Sequence, residues 1–489
     1  IITDPKGLLV HEVGQMLANN GYNIKVFDLV HLSNSDQFNP FNYMKSELDI
    51  DRVTEAIIDG TKKSDNQGEN FWVQANLLLT RALIGYLYFD SMVNDYTPNL
   101  SMISDLLRNI KREDEKIPSP VERLFEELEE AIPGNYACKQ WDLFNQNFQA
   151  ETRTSVLAVM SAQYSVFDHA QVTRMIERDT MEMETWNTKK TAVFIAIPET
   201  NKAFNFLAST MFSIMFDILT HGADDILQGR KPGYKPSDLI HVQMIIDEFA
   251  NIGKIPNFNE VLASVRSREM SIKIILQVTN QLQALYKNDW KTIFNNCATH
   301  VFLGTNDDDT MKYYSLKAGK QTITQINYSE SRGKIKSGSI SYQNTQRDLN
   351  TPDEIARIGV DEALVFISKQ YVLKDKKMTV FEHPMKDQIA NSPGDNNWFI
   401  YRKYMTDAEE FESNVDFSDI TEAVETDAKE YDQMVKKLIV SDKQFSEELP
   451  TKSPENASES PSQTLDEEEL PFFFEEPIEV PEIKRGGGI

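Results

Sequence analysis

The sequence predicts an α/β protein in which a doubly wound, mostly parallel sheet carries an inserted all-α domain and is followed by an acidic tail. Three observations support this fold class. Strand-like and helix-like segments alternate in residues 1–49 and again in 187–384. Residues 50–186 show only helical spacing, and residues 385–489 are acidic and rich in Ser and Pro towards their end. These four ranges are the predicted domains.

The first range is predicted to contain a strand, a helix and a second strand. "IITDPKG" ends a strand in a turn, "LLVHEVGQMLANNG" has helical spacing and stops at an Asn-Gly pair, and "YNIKVFDL" alternates like a strand. The sequence opens inside a strand, with neither Met nor a signal peptide. We therefore expect a native N-terminal region to precede residue 1.

The second range is predicted to be entirely helical. Apolar residues recur at i, i+3 and i+4 in "DRVTEAIIDG", "FWVQANLLLTRALIGYLYFDSMV", "SPVERLFEELEEA" and "TRTSVLAVMSAQYSVF". No stretch of the sequence reaches the roughly 18 consecutive apolar residues that indicate a membrane span. The helices are therefore expected to pack into an all-α domain inserted into the sheet domain.

Strand–helix alternation resumes in the third range. The predicted strands are "TAVFIAIP", "VQMII", "SIKIILQ" and "THVFLGT". Because helices such as "FNFLASTMFSIMFDILTHG" separate them, we expect these strands to extend one parallel sheet. A polar hairpin is predicted at 322–347, and a last strand, "EALVFISKQYVL", precedes the end of the globular part near Pro384.

Charge is distributed unevenly along the chain. The formal net charge is −26, and residues 385–489 alone hold 26 Asp and Glu against 10 Lys and Arg. This balance argues against a general nucleic-acid binder, so DNA contacts are expected only at local basic loops. The tail is predicted to be largely disordered, or else to present "LPFFFEEPIEVP" to a partner. Its deletion after Pro384 is expected to leave a folded domain.

The stretch "VQMIIDEFANIGKIP" carries the clearest chemical signal. An apolar strand stops at two adjacent acids, Asp247 and Glu248. Parallel sheets bind nucleotides at the edge where their strands end. In P-loop ATPases an Asp at this place helps to hold magnesium, and a following Glu polarises the attacking water. The plainer interpretation is that the two acids only end a strand and begin a loop.

The sequence nevertheless lacks a phosphate-binding loop. That loop needs G-x-x-x-x-G-K-[ST], whose backbone N–H groups and Lys bind the phosphates. The Gly-Lys pairs at 253–254, 319–320 and 333–334 are followed by Ile, Gln and Ile. Either the acid pair has another role or the chain is incomplete, and its opening residues favour the second explanation.

An ordered set of motifs resembles the coupling proteins of type IV secretion and conjugation systems, of the TraG/TraD kind. The set consists of "TDPKG", "FNPF", Phe71-Trp72 with Ala75, "IIDEFANIGKIP", "ILQVTNQLQALY", Asn296-Cys297, Gly319 with Thr322, and "LNTPDEIARIG…ALVFISKQYVLKDKK". The matches run in order from residue 1 to about 384. Leu8 and Lys287 depart from the usual pattern, at positions without chemistry. In the family the P-loop and membrane helices lie upstream of "DPKG".

The resemblance implies a RecA-like motor that uses ATP and Mg²⁺ at the boundaries between subunits of a homo-hexamer. Residues 1–49 and 187–384 would be the two parts of its nucleotide-binding domain. Asp247 would hold magnesium, and Glu248 would activate water. Gln277, at the end of the neighbouring strand, would sense the γ-phosphate, although a loop Gln can also simply bind backbone.

Further residues at the expected nucleotide site take their roles from the same resemblance. Arg266, with Arg268 as the alternative, would reach into the ATP site of the next subunit, where a permanent planar cation suits phosphoryl charge. Asp4 and Lys6 follow the first strand and are expected near the nucleotide. For each arginine the plainer interpretation is a solvated helix end, and for Lys6 it is a surface turn.

Two basic loops are candidates for gripping DNA phosphates without reading bases. One is the tip of the predicted hairpin and the other precedes the acid-pair strand. Their residues are Arg332, Lys334 and Lys336, and Arg230, Lys231 and Lys235. Short basic loops are often only solvated, so this interpretation competes with a plain surface role.

The function that the resemblance implies is recruitment of relaxase-bound single-stranded DNA, or of a protein substrate, to a type IV secretion channel. Its expected partners are the relaxase with its accessory factors, the channel ATPases and membrane components at the cytoplasmic face of the membrane. Without a P-loop, this chain is itself expected to be inactive. The alternatives are a chromosome-partition DNA translocase and a non-catalytic substrate-binding adaptor.

Overall fold

The computed structural model describes residues 1–61, 70–112, 116–198, 204–331 and 337–401. These residues belong to one compact unit. The predicted basic hairpin tip, at 332–336, and the tail from residue 402 onwards lie outside the described residues.

A five-stranded, fully parallel sheet organises the fold. Its strands are β1 (Ile2–Thr3), β2 (Asn23–Asp28), β3 (Thr191–Ala196), β4 (Val242–Ile246) and β5 (Met270–Ile274), in the spatial order β2-β3-β1-β4-β5. Successive side chains of β3 enter different cores, Val193 and Ile195 one and Ala192 and Phe194 the other. A parallel sheet covered on both faces is what near-continuous apolar strands predict. The predicted α/β fold class is confirmed.

Helices account for the chain between β2 and β3. They are α2 (Leu48–Thr61), α3 (Asn70–Asn94), α4 (Ser101–Arg108), α5 (Pro120–Ala131), α6 (Tyr136–Asn147), α7 (Ala150–Tyr164) and α8 (Ala170–Glu177). Together with α9 (Asn205–Leu227) they form the larger core. Within the described parts of this stretch there is no strand, so the predicted all-helical character is confirmed. The exact domain boundaries stay a prediction.

Helix α9 joins the helical region to the sheet. It is long and apolar enough to cross a membrane, but 72% of its most apolar window is buried inside the protein. Its Asp217 forms an ion pair with Arg52 of α2, and Arg52 also contacts Asp49 at 2.9 Å. The position of α9 explains its composition, because both the sheet and the helical region pack against it.

Short helices separate the later strands, namely α10 (Phe249–Ile252), α11 (Phe258–Ser264), α12 (Thr279–Leu285), α13 (Trp290–Asn296), α14 (Asp308–Ala318) and α15 (Pro352–Ala356). The strand predicted at "THVFLGT" exists as β6 (Thr299–Phe302), but it belongs to a second sheet. There it pairs antiparallel with β9 (Glu362–Ile367), which pairs with β10 (Leu373–Lys376). The expectation that it extends the parallel sheet was therefore wrong. Alternating burial along β6, the mark of a sheet with one solvated face, explains this.

The segment "EALVFISKQYVL" is two strands and not one. It turns at Lys369, whose φ is +67°, and returns as β10. The predicted hairpin is present as β7 (Lys320–Ser331) and β8 (Ser337–Asp348), which pair only with each other. It is thus a two-stranded ribbon separate from both larger sheets.

The folded chain also continues past Pro384, where the globular part was expected to end. Phe399 donates its backbone N–H to His11 O at 2.9 Å, and the rings of Trp398 and His11 stack with centroids 5.0 Å apart. The hydroxyl of Tyr401 bonds to Asp36. These contacts argue against a boundary at Pro384, and the effect of a deletion after Pro384 stays a prediction. Acidic composition averaged over a hundred residues concealed the short aromatic run that packs here.

Residues 390–401, which we call the strap, pack closely on α1 (Leu9–Asn19). At Gly14 a Cβ atom would lie 2.6 Å from Cδ1 of Phe399. Phe399 also packs against the apolar core that α1 shares with β2 and β3. The strap therefore adds to the core between α1 and the sheet, and Gly14 leaves room for the ring of Phe399.

We expect Phe399→Ala to lower the free energy of unfolding by about 2 kcal/mol, because a half-buried ring leaves the core beside α1. Urea titration followed by circular dichroism measures this. Ile400→Ala is the matched control, since Ile400 is mostly exposed, and it should change stability by less than about 0.5 kcal/mol. Equal effects from the two variants would contradict the strap's structural role.

Candidate functional site

Polar side chains from three adjacent strands meet at the carboxyl edge of the parallel sheet. Asp4 follows β1 and Asp247 follows β4, and the register pairs Ile2 with Ile245, so these aspartates end neighbouring strands. Thr3 fixes the alignment, because its Oγ1 donates to Asp247 O at 2.7 Å. The predicted convergence of Asp4 with the acid pair is therefore present in the fold.

Asp4 is buried and has a structural partner. Its Oδ2 accepts from the backbone N–H of Leu9 at 2.6 Å, and its own N–H donates to Ile195 O at 2.8 Å. It thereby fixes the turn that leads into α1. Lys6, in the same turn, is exposed. Lys6 therefore presents its charge to solvent beside the edge, while Asp4 holds the backbone.

Glu248 stands in a constrained conformation. Its φ is +48° and its ψ is 47°, in the left-handed region, which costs a residue with a side chain roughly 1–3 kcal/mol when the surroundings enforce it. Its N–H donates to Asp247 Oδ1 at 3.0 Å. Both carboxylates are half-buried. Such local strain at a strand end is a recognised mark of a functional site.

Gln277 contacts Glu248 directly. Its Nε2 donates to Glu248 Oε1 at 2.5 Å, and its backbone N–H donates to Gln281 Oε1 at 3.0 Å. The sequence places Gln277 at the same edge but does not indicate this bond. The amide side chain thus connects the end of β5 to the acid pair.

Three groups hold the segment that follows the acid pair, and sequence reasoning missed all of them. Asn205 Nδ2 donates to Asn251 O, and Ser209 Oγ donates to Lys254 O, both at 2.6 Å. The hydroxyl of Tyr286 accepts from the backbone N–H of Ile255 at 3.0 Å. The available signal was the i, i+4 spacing of Asn205 and Ser209 on a buried, otherwise apolar helix face.

Asp28 adds a further carboxylate at the end of β2, also unanticipated. Burial raises its pKa; backbone N–H groups of His31 and Val30 oppose that rise, and the charge of Asp4 adds to it. The bonds from these two N–H groups to Oδ1 are each 2.8 Å long. The carboxyl edge is therefore rich in negative charge, which favours a cation over a free anion.

The predicted arginine lies at the opposite edge. Arg266 is exposed in the turn Val265–Arg268, which precedes β5. One five-residue strand, about 16 Å at 3.3 Å per residue, separates this turn from the end of β5. Arg268 is engaged, with Nη2 2.8 Å from Asp224 Oδ2. Arg266, by contrast, has no ion-pair partner among the described residues.

The basic loop before β4 shares this amino edge. Arg230 contacts Asp225 at 2.8 Å, Lys231 lies 4.7 Å from the ring centroid of Tyr234, and Lys235 is exposed. The other predicted basic cluster, Arg332 with Lys334 and Lys336, lies outside the described residues. The structure therefore places one of the two candidate DNA-gripping loops, away from the acid pair.

The parallel sheet is covered on both faces and carries polar side chains at its carboxyl edge. These features place the chain in the doubly wound α/β class of protein. Within that class, the profile of the family described as "Type IV secretory system Conjugative DNA transfer" matches residues 1–414. The chain belongs to that family.

Individual relatives agree with this assignment. The conjugal transfer protein TraG of Escherichia coli is 28% identical over 169 residues, which cover 31% of this chain and 26% of TraG. The chain thus matches about a quarter of that relative's length. Structures of the plasmid coupling protein TrwB have the same fold. The complex with the ATP analogue ADPNP has a TM-score of 0.53 at 17% identity, covering 77% of this chain and 78% of TrwB. For the complex with ADP and Mg²⁺ the TM-score is 0.51 at 17% identity, covering 77% of each chain.

We expect Asn205→Ala and Ser209→Ala to loosen residues 249–256 without unfolding the protein. Each removes a donor from a backbone carbonyl, a loss of about 1–3 kcal/mol that falls on this segment. Hydrogen exchange read by mass spectrometry should show roughly tenfold faster exchange there. Ser213→Ala, one turn further along α9, is the control and should leave the segment unchanged. Uniformly faster exchange in all three variants would contradict a specific clamp.

Proposed function

We propose that this chain is the cytosolic motor part of a conjugative coupling protein, which uses ATP to feed relaxase-bound single-stranded DNA into a type IV secretion channel. The observation that carries the proposal is the convergence of Asp247, Glu248 and Gln277 at one sheet edge, in a chain of this family. The proposed partners are the relaxase, its accessory factors, the channel ATPases and membrane components.

In this proposal Asp247 holds Mg²⁺, Glu248 takes the proton of the attacking water, and Gln277 reports the γ-phosphate. Mg²⁺ neutralises charge on the phosphates when it is bound with ATP. Among the described residues, no three His, Cys, Asp or Glu side chains are grouped closely enough to hold a metal ion. A single Asp with water and phosphate oxygens is the arrangement that Mg²⁺ prefers, so the residues present fit the ion. The TrwB complexes with ADPNP and with ADP and Mg²⁺ support the same choice of ligand.

The hydrogen bond between Gln277 and Glu248 lets the proposed sensor act directly on the proposed general base. A γ-phosphate that recruits the Gln277 amide would release Glu248 Oε1 from its 2.5 Å hydrogen bond. The freed carboxylate is then a better acceptor for the proton of water. The left-handed backbone at Glu248 fixes where that carboxylate can reach. Asp4 and Lys6 would line the site, with Lys6 as the solvent-exposed cation.

The position of Arg266 supports action between subunits. It lies at the amino edge, about one strand length of 16 Å from the carboxyl edge of its own sheet. A contact with ATP would therefore be made to the nucleotide of a neighbouring subunit, as in a ring. We propose a homo-hexamer at the cytoplasmic face of the membrane, with Arg230, Lys231 and Lys235 turned towards DNA and residues 50–186 recognising the substrate complex.

We expect this chain by itself to show no measurable ATP hydrolysis. Its 489 residues contain the magnesium, water and sensor groups but no G-x-x-x-x-G-K-[ST] motif to hold the phosphates. A phosphate-release assay with Mg²⁺ and ATP measures this, with a matched Glu248→Gln sample to reveal contaminating ATPases. Turnover that disappears in the Glu248→Gln sample would show that these residues need no separate phosphate cradle.

In cells that carry the plasmid, we expect Glu248→Gln in the encoding gene to abolish plasmid transfer. Removing a general base typically costs 10²–10⁴-fold in rate, while the amide preserves size. Mating frequency measures the effect, and immunoblotting checks protein level. Glu260→Gln, an exposed position on α11, is the matched control and should transfer normally. Normal mating with Glu248→Gln would remove Glu248 from the hydrolytic role.

A further inference from the structure

A pair of threonine hydroxyls joins the loop of Gln277 to helix α14. Thr279, two residues after Gln277, donates its backbone N–H to Thr310 Oγ1 at 3.3 Å, and the two hydroxyl oxygens lie 3.0 Å apart. Thr310 lies in the first turn of α14 and is only 5% exposed, while Thr279 is half-buried. The contact is therefore made where a polar group is costly to leave unpaired. We call residues 277–279 the sensor loop.

Asp307 fixes the direction of these hydrogen bonds. Its Oδ2 accepts from the Thr310 hydroxyl at 2.6 Å and from the Thr310 backbone N–H at 2.9 Å. These two bonds lower the pKa of Asp307, so its carboxylate is ionised and can only accept near neutral pH. Because the single hydroxyl proton of Thr310 is directed to Asp307, its oxygen offers only lone pairs to Thr279. Thr279 is thus the donor in both contacts.

The position of α14 is set by a core other than that of the parallel sheet. The ring centroid of Tyr314, one turn after Thr310, lies 4.9 Å from that of Phe302 in β6 and 5.1 Å from that of Phe366 in β9. These three aromatic side chains belong to the core of the second sheet. Thr310 is therefore anchored to the second sheet, while Gln277 follows a strand of the parallel sheet.

The side chain of Gln277 depends on its backbone for its position. It is exposed, so packing does little to orient it, yet its Nε2 reaches Glu248 Oε1 at 2.5 Å. The backbone N–H of Gln277 is held by Gln281 Oε1 at 3.0 Å. The N–H of Thr279 is among the first of α12, where a helix supplies no acceptor of its own. Thr310 supplies that acceptor and so holds the end of the sensor loop.

We propose that Thr310 is a positioning residue for Gln277, because through Thr279 it holds the loop that presents the Gln277 amide to Glu248. The proposal rests on the proposed function, from which Gln277 and Glu248 take their roles. It adds to that function a residue from outside the parallel sheet. Alignment of the second sheet with the parallel sheet thereby becomes a condition for efficient hydrolysis.

Hydrogen exchange of residues 277–281, read by mass spectrometry, measures how firmly the loop is held. Thr310→Val keeps the shape of the side chain but removes its hydroxyl, so exchange there should be roughly tenfold faster. Thr310→Ser keeps the hydroxyl and should stay within about threefold of the unmodified chain. Ser315→Ala is the matched control. It removes another buried hydroxyl of α14, which donates to Asn350 O at 2.7 Å, and should leave residues 277–281 unchanged.

The side-chain amide of Gln277 gives a second readout, which a general loss of packing would not move in the same direction. In a chain labelled with ¹⁵N-glutamine, its NMR signal is assigned by its absence from Gln277→Asn. In Thr310→Val the signal should move towards its position in Glu248→Ala, where the hydrogen bond is absent, and Thr310→Ser should restore it. Thr279→Val should move it the same way by less, which keeps the test available if Thr310→Val does not fold. An unmoved signal in the folded Thr310→Val and Thr279→Val variants would overturn the proposal.

Failure of this proposal is distinguishable from failure of the proposed function. In cells that carry the plasmid, Thr310→Val should lower transfer by about tenfold to a hundredfold, since small misplacements of a reacting group cost that much. Thr310→Ser and Ser315→Ala should transfer normally at equal protein level. Normal transfer with Thr310→Val, while Glu248→Gln blocks transfer, would leave the motor and remove the positioning role. Normal transfer with Glu248→Gln would overturn the hydrolytic role, while a Gln277 signal that moves in Thr310→Val would still support the contact through Thr279.

Discussion

A two-residue strand at the centre of the parallel sheet joins the two halves of that sheet. Strand β1 consists only of Ile2 and Thr3, yet it pairs with β3 on one side and β4 on the other. Thr3 adds a side-chain bond to the carbonyl of Asp247. Because every strand of the sheet runs in the same direction, this register brings all the carboxyl ends to one edge. The candidate site depends on that alignment, because it places Asp4 and Asp247 at the ends of neighbouring strands.

The same parallel direction separates the two groups of charged residues. Four carboxylates lie at one edge of the sheet. Asp4 and Asp28 accept hydrogen bonds from backbone N–H groups there, while Asp247 and Glu248 are half-buried and so partly accessible to a ligand. Arg266 and the basic loop before β4 lie at the other edge. These cations therefore lie at the edge opposite the acid pair of the same chain. The proposed contact of Arg266 with a neighbouring subunit follows from this separation.

Helix α9 is the element through which the helical region and the site share contacts. One part of it holds the backbone after the acid pair through Asn205 and Ser209. Further along, Asp217 forms the ion pair with Arg52 of α2. The helix is mostly buried, so the core that holds the helical region also positions the segment after Glu248. The helical region and the acid pair thus pack against one shared helix.

The sequence by itself determined the elements and the position of the chemistry. Alternating apolar strands and helices predicted the parallel sheet, the 3.6-residue spacing predicted the helical region, and the end of the strand before Asp247 located the acid pair. These are local properties, because burial of one or both faces of a strand or helix produces a regular spacing of apolar residues along the sequence. The ordered motifs also indicated the family, which the match over residues 1–414 established.

Only the tertiary structure decided which partners those elements meet. The contacts that matter most join residues far apart in the sequence. Gln277 and Glu248 are 29 positions apart, Asn205 and Asn251 are 46 apart, and Phe399 and His11 of α1 are 388 apart. The antiparallel pairing of β6 with β9 also joins segments that are far apart in the sequence. Periodicity reports that a side chain is buried but not what buries it, since many partners satisfy the same apolar face. Long-range packing makes that choice, and it placed the acid pair and Arg266 at opposite edges of one sheet.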